Sequence, residues 1–87
     1  MLYKILDYDV WGNAKDGYEI NDVYSTQHTI EINELCYLNN IIKKLKDIDY
    51  LNPKTRTKFE IDDYNYGTIY ITRKRDGLPI CELRRLL

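Results

Sequence analysis

Hydrophobic and polar residues alternate from Leu2 to Trp11, with Leu6, Tyr8 and Val10 on one side and Asp7, Asp9 and Trp11 on the other. A period of two marks a strand. Gly12-Asn13-Ala14-Lys15-Asp16-Gly17 interrupts it with residues that reach positive φ at little cost, so the chain is expected to reverse and return as a second strand over 17–24. Pairing Val10 with Tyr18, or slipping that register by two, keeps the apolar positions on one face. The polar run from Ser25 to Thr29 reads as a loop, and Thr29-Ile30-Glu31-Ile32 as a short third strand at the sheet edge.

The period then changes. Leu35, Leu38, Ile42, Leu45 and Ile48 recur at steps of three and four, while Lys43, Lys44, Lys46 and Asp47 fall elsewhere around the wheel. This predicts an amphipathic helix between Asn33 and Ile48, with Asn33 or Asn39 as N-cap and Asn52-Pro53 as the stop signal. Three more strands follow over 56–64, 67–74 and 79–86, separated by Asn65-Tyr66-Gly67 and Asp76-Gly77-Leu78. Three-residue turns set Ile61 opposite Ile71 and Ile71 opposite Leu83, with Phe59, Ile69 and Cys81 on the same inner face. A two-residue turn at Asp76-Gly77 would put Glu82 opposite Ile71, and burial parity outweighs it. The expected fold is α+β: one domain over 1–87, an antiparallel sheet of five or six strands in the order β-β-(β)-α-β-β-β, with one helix packed on one face.

Composition narrows the function classes. At 87 residues the chain has room for one thin core. Its net charge of -1 lacks the overall basicity of most nucleic-acid binders. The charge is nonetheless segregated: residues 1–35 hold two basic and seven acidic side chains, residues 36–87 eleven and seven. No apolar run is long enough to span a membrane. The N-terminal Met1-Leu2-Tyr3-Lys4-Ile5-Leu6-Asp7 lacks the features of a secretory signal, so a cytoplasmic location is expected. Cys36 and Cys81 are too few for a disulfide framework, and two free thiols are expected.

The segments Asp7-Tyr8-Asp9-Val10-Trp11-Gly12-Asn13, Asp16-Gly17-Tyr18-Glu19-Ile20-Asn21-Asp22-Val23 and Gly77-Leu78-Pro79-Ile80-Cys81-Glu82-Leu83-Arg84-Arg85 resemble small uncharacterised proteins encoded by phages and prophages. The resemblance implies an origin and assigns no functional residue.

Chemistry-bearing residues are sparse. Asp7, Asp9, Glu19 and Asp22 approach one another on the first hairpin, yet an outward solvated face explains them as well as a metal site does. His28 sits among hydroxyls without the spacing of a triad, and Cys81 points inward by strand parity while Arg84 points outward. Neither a phosphate-binding glycine loop nor a zinc pattern occurs, so no enzyme activity and no cofactor are expected. The expected function is a non-enzymatic binding module, phage-encoded, that contacts a host or phage protein through Asp9, Trp11, Asp16 and Glu19; Trp11 is either a partner anchor or a core plug. The alternative is a nucleic-acid accessory protein using Lys43, Lys44 and Lys46 on the helix with Arg73, Lys74 and Arg75 on the last hairpin. The expected state is a monomer or small homo-oligomer.

Overall fold

The structure, a computed structural model, describes residues 1–33, 38–65 and 67–86. Five antiparallel strands, β1 (Leu2–Asn13), β2 (Gly17–Glu31), β3 (Phe59–Asn65), β4 (Thr68–Arg73) and β5 (Pro79–Arg85), form one open sheet in the order β2-β1-β5-β4-β3. One helix, α1 (Leu38–Asp47), packs across it, giving the α+β class that the sequence patterning predicts. The β1–β2 hairpin and the β3–β4–β5 meander are joined where β1 pairs with β5 from Tyr3 opposite Arg85 to Asp7 opposite Cys81.

The core lies between the helix and one face of the sheet. Ile5, Ile71, Cys81 and Leu83 are fully enclosed, with Phe59, Ile69 and Ile30 around them, and Ile41 and Leu45 descend on them from α1. Ile41 and Leu45 stand four apart, one helical turn, so they share a face. This corrects the predicted stripe. Ile42 is half-buried at its margin, Ile48 lies beyond the helix and is 37% exposed, and Leu35 and the side chain of Leu38 fall outside the described residues. Asn39 lies inside the helix and caps nothing. The helix stops ahead of Asn52-Pro53 because Asp49 adopts a left-handed φ of 60° and its N–H returns to the Lys46 carbonyl.

The strand faces follow the expected parity, but the registers differ. Ile61 lies opposite Ile71 as predicted, whereas Ile71 faces Cys81 and Ile69 faces Leu83, two residues from the expected pairing. The last turn is a four-residue loop, closed by Arg73 and Leu78, with an irregularity between Ile71 and Thr72 that restores the parity. In the first hairpin Val10 pairs with Ile20, the register slipped by two, so that Gly12 faces Tyr18. Gly12 has φ 101°, and a Cβ there would run into the Gly17 carbonyl oxygen, so only glycine fits.

Two further expectations change. The polar run from Ser25 to Thr29 is strand, and Thr29–Glu31 is the end of β2 rather than a third strand. The register shifts between Lys4 and Leu6, where the Thr26 hydroxyl donates to the Ile5 carbonyl at 2.7 Å; a side chain thereby satisfies a carbonyl that the bulged ladder cannot. On β1 the residue enclosed under the helix is Ile5, while Leu6 and Tyr8 lie on the opposite face with Glu82 of β5. Glu82, read from sequence as an outward charge, is only 5% exposed. Its carboxylate accepts from the Tyr8 hydroxyl at 3.2 Å and from Arg84 Nε and Nη2 at 3.2 and 3.0 Å. Two long side chains folded over it supply the partners a buried charge requires.

This packing fixes an expected outcome. Leu45→Ala should lower the unfolding free energy by about 2 to 5 kcal/mol, whereas Ile48→Ala should change it by no more than about 0.5 kcal/mol. Urea unfolding followed by circular dichroism measures both, and equal losses would show that the helix is seated differently.

Candidate interaction surfaces

Beyond Asp7, β1 has no β5 partner and pairs with β2 alone. Residues 8–13 and 17–23 therefore form a two-stranded arm, with Tyr24 at its base opposite Asp7. On it Trp11 is 60% exposed and Tyr24 is 51% exposed, and Ile20 and Val23 are also open to solvent. Trp11 is thus no core plug. By strand pairing it shares a face with Glu19, Asp9 and Asp22, while Ile20 and Val23 line the other face with Tyr8 and Val10.

The acidic residues follow the same geometry. Asp9 lies directly opposite Asp22, an arrangement that costs stability between like charges, and Asn21 Nδ2 donates to Asp9 Oδ2 at 2.9 Å. Partial desolvation and then the nearby Asp22 and Asp9 push the Tyr24 hydroxyl above its ordinary pKa. At the turn, Asn13 Oδ1 accepts from the backbone N–H of Lys15 and Asp16, which leaves the Asp16 carboxylate at the tip beside Asn13 Nδ2. The structure thus brings Asp9, Trp11 and Glu19 to one face of the arm and Asp16 to its end. Among the described residues, no group of three metal-binding side chains converges.

Besides the Tyr8–Glu82 bond, the arm is fastened to the last hairpin near its turn. Tyr18 donates its hydroxyl to Asp76 Oδ2 at 2.9 Å, and Arg73 grips the same carboxylate through Nε at 2.8 Å and Nη2 at 2.6 Å. Those bonds, with the guanidinium first, hold the Asp76 carboxyl well below the usual carboxylate range. Arg73 is consequently committed to the fold, although the sequence grouped it with Lys74 and Arg75 as a nucleic-acid contact.

The other predicted basic residues are partly gathered. Lys43 and Lys46 of α1 and Lys74 after β4 line one cleft of about 490 Å³, with Arg56 and Lys58 from the segment between the helix and β3. Arg75 lines an adjoining cavity of about 590 Å³ that shares Arg56, Lys58 and Lys74 with the first. Lys44 lines neither. The sequence reading left Arg56 and Lys58 out of its basic site because it placed 56–58 in a strand, with Lys58 on the outer face of the meander; the strand begins at Phe59.

Among the remaining residues, Cys81 and Tyr50 serve the fold. Cys81 is enclosed in the core, and burial pushes its thiol up to about 12, so it is protonated at neutral pH and no nucleophile. Tyr50, brought back onto the sheet after α1, donates its hydroxyl to Asp7 Oδ1 at 3.0 Å, and burial foremost raises its pKa. His28 is exposed on β2, not in a loop, and Cys36 lies outside the described residues. No protein-family model, curated protein or solved structure matches this chain.

Two outcomes follow. A carboxyl with a depressed pKa stabilises the fold above its unfolded pKa and loses that contribution as pH falls through its folded pKa, so the stability gap between wild type and Asp76→Asn should be widest at neutral pH, begin to narrow as pH falls toward about 4 and close only in strong acid. Urea titrations across that range test it, and a gap independent of pH would mean that the charge on Asp76 is immaterial. Native Cys81 should resist a thiol reagent at neutral pH and react only on unfolding. Rapid modification of the folded protein at Cys81, located by mass spectrometry, would contradict its burial.

Proposed function

We infer that this protein is a non-enzymatic binding module that docks through its β1–β2 arm onto a basic surface of another protein. One observation carries the reading: Trp11 and Tyr24 stand exposed on one face of the β1–β2 hairpin, with Ile20 and Val23 exposed on the other, and beyond Asp7 no third strand pairs with it. Tryptophan and tyrosine supply the large, stiff contact area that anchors interfaces. Asp9, Asp16, Glu19 and Asp22 give the same arm a negative field, which steers a partner of opposite charge and repels like-charged ones. The protonated core thiol of Cys81 supports a role without catalysis. The resemblance to phage and prophage proteins supports a host or phage protein as the partner, met in the cytoplasm.

Trp11 is the single tryptophan, so its fluorescence reports the arm directly. In the free protein a neutral quencher should reach it nearly as well as free tryptophan, and partner docking should shield it. Trp11→Ala should leave the melting temperature nearly unchanged while weakening partner binding at least about tenfold, the scale of an interface anchor. Asp9→Asn combined with Glu19→Gln should mainly slow association and reduce its salt dependence. A partner bound equally well by wild type and Trp11→Ala would refute the assignment of the arm.

A further inference from the structure

The basic cleft is separate from the arm. Its walls come from three segments: α1 contributes Lys43 and Lys46, the stretch before β3 contributes Arg56 and Lys58, and the β4–β5 turn contributes Lys74. One side-chain and one backbone hydrogen bond hold these segments together. Lys46 Nζ donates to the Thr55 carbonyl at 3.1 Å, and the Lys74 N–H donates to the Lys58 carbonyl at 2.9 Å. No carboxylate lines the cleft or the adjoining cavity, and none of the three ion pairs among the described residues involves these cations. Gathering five like charges around one concavity raises the energy of the unliganded fold, and an anion relieves it. In a chain of net charge -1 this concentration of positive charge is local.

We propose that this cleft binds the phosphodiester backbone of single-stranded nucleic acid. Its chemistry fits phosphate: guanidinium and ammonium groups surround it, and the hydroxyl of Thr57, which accepts from Thr55 Oγ1 at 3.1 Å, adds a neutral donor of the kind that contacts phosphate oxygens. Continuity with the neighbouring cavity through Arg56, Lys58 and Lys74 makes a track that extends to Arg75, suited to a chain of regularly spaced charges. The single aromatic in the described lining, Phe59, is buried in the core and offers no face for base stacking. Recognition therefore runs through the backbone and is indifferent to sequence. A duplex carries its phosphates on a wide convex surface that a cleft cannot enclose, whereas a single strand can enter it.

The test is fluorescence anisotropy of the whole protein with a labelled single-stranded oligonucleotide of mixed sequence, run beside a duplex of the same length, a polyglutamate peptide and inorganic tripolyphosphate. Five phosphate contacts predict a log–log salt slope of about -3 to -4, which is roughly a hundredfold loss between about 50 and 200 mM salt. Arg56→Ala with Lys58→Ala should weaken binding at least tenfold. Lys74→Glu should do the same from a different segment. Replacing Lys43, Lys46, Lys58 and Lys74 by arginine should preserve binding, which separates lost charge from lost folding. Lys15→Ala, at the tip of the arm, and Trp11→Ala should have no effect, so the outcome is independent of the arm's role. Absence of single-strand binding, equal or tighter binding of duplex, peptide or tripolyphosphate, or equal sensitivity to Lys15→Ala would each overturn the proposal.

Discussion

The seating of Ile41 and Leu45 on Ile5, Ile71, Cys81 and Leu83 is the contact from which the rest of the molecule takes its form. The helix is ten residues long, about 15 Å, and a sheet of five strands is roughly 20 Å wide. One short helix cannot cover such a sheet, least of all a sheet whose first two strands run on past their neighbours. It lies nearest β3 at one edge of the sheet and sends Ile41 and Leu45 into the core that β1, β5 and β4 share. What it leaves uncovered is the arm on one side and the seam with residues 55–58 on the other, and these are the two surfaces with exposed chemistry.

Satisfying the uncovered face requires a different solution from hydrophobic burial. Under the helix, aliphatic side chains close the core. On the reverse side, Tyr8 and Arg84 fold over Glu82, and burial, with the carboxylate second, raises the Tyr8 hydroxyl above its ordinary pKa. A lone buried carboxylate would be costly, whereas one that accepts three hydrogen bonds is tolerated. The Tyr18–Asp76–Arg73 cluster does comparable work near the arm's turn. The abundant tyrosines thus act in part as polar struts between strands, a role available to a ring with a hydroxyl at its end.

Local signals made most of the fold legible. Period-two alternation and glycine turns located both hairpins, and the helix showed in the recurrence of leucine and isoleucine. Registers were beyond reach because a slip of two residues preserves every face, leaving turn geometry and bulges to decide. The Ser25–Thr29 run misled because a bulged strand can satisfy its carbonyls with a threonine hydroxyl, so polarity there does not mean loop. The site was legible in part. Trp11 was visible as a large ring beside a glycine turn, but only the point where β5 stops pairing with β1 decides that it faces water. The cleft was illegible as a unit because Lys43, Arg56 and Lys74 are distant in sequence, and only the packing of α1 against the β3 end of the sheet assembles them.

The strand order has a consequence for how the chain reaches this form. β5, which follows every other strand in sequence, lies between β1 and β4. The hairpin and the meander can each form from neighbouring segments, but their union requires Tyr3 to find Arg85 across nearly the full chain. Closing so long a loop carries a large entropic cost before any contact repays it, which makes this pairing the slow step of folding. Until it occurs, one edge of β1 and one edge of β5 are bare, and Ile5 and Leu83 have lost their cross-strand cover. The same strand that completes the core is the one whose delay leaves the chain open to aggregation.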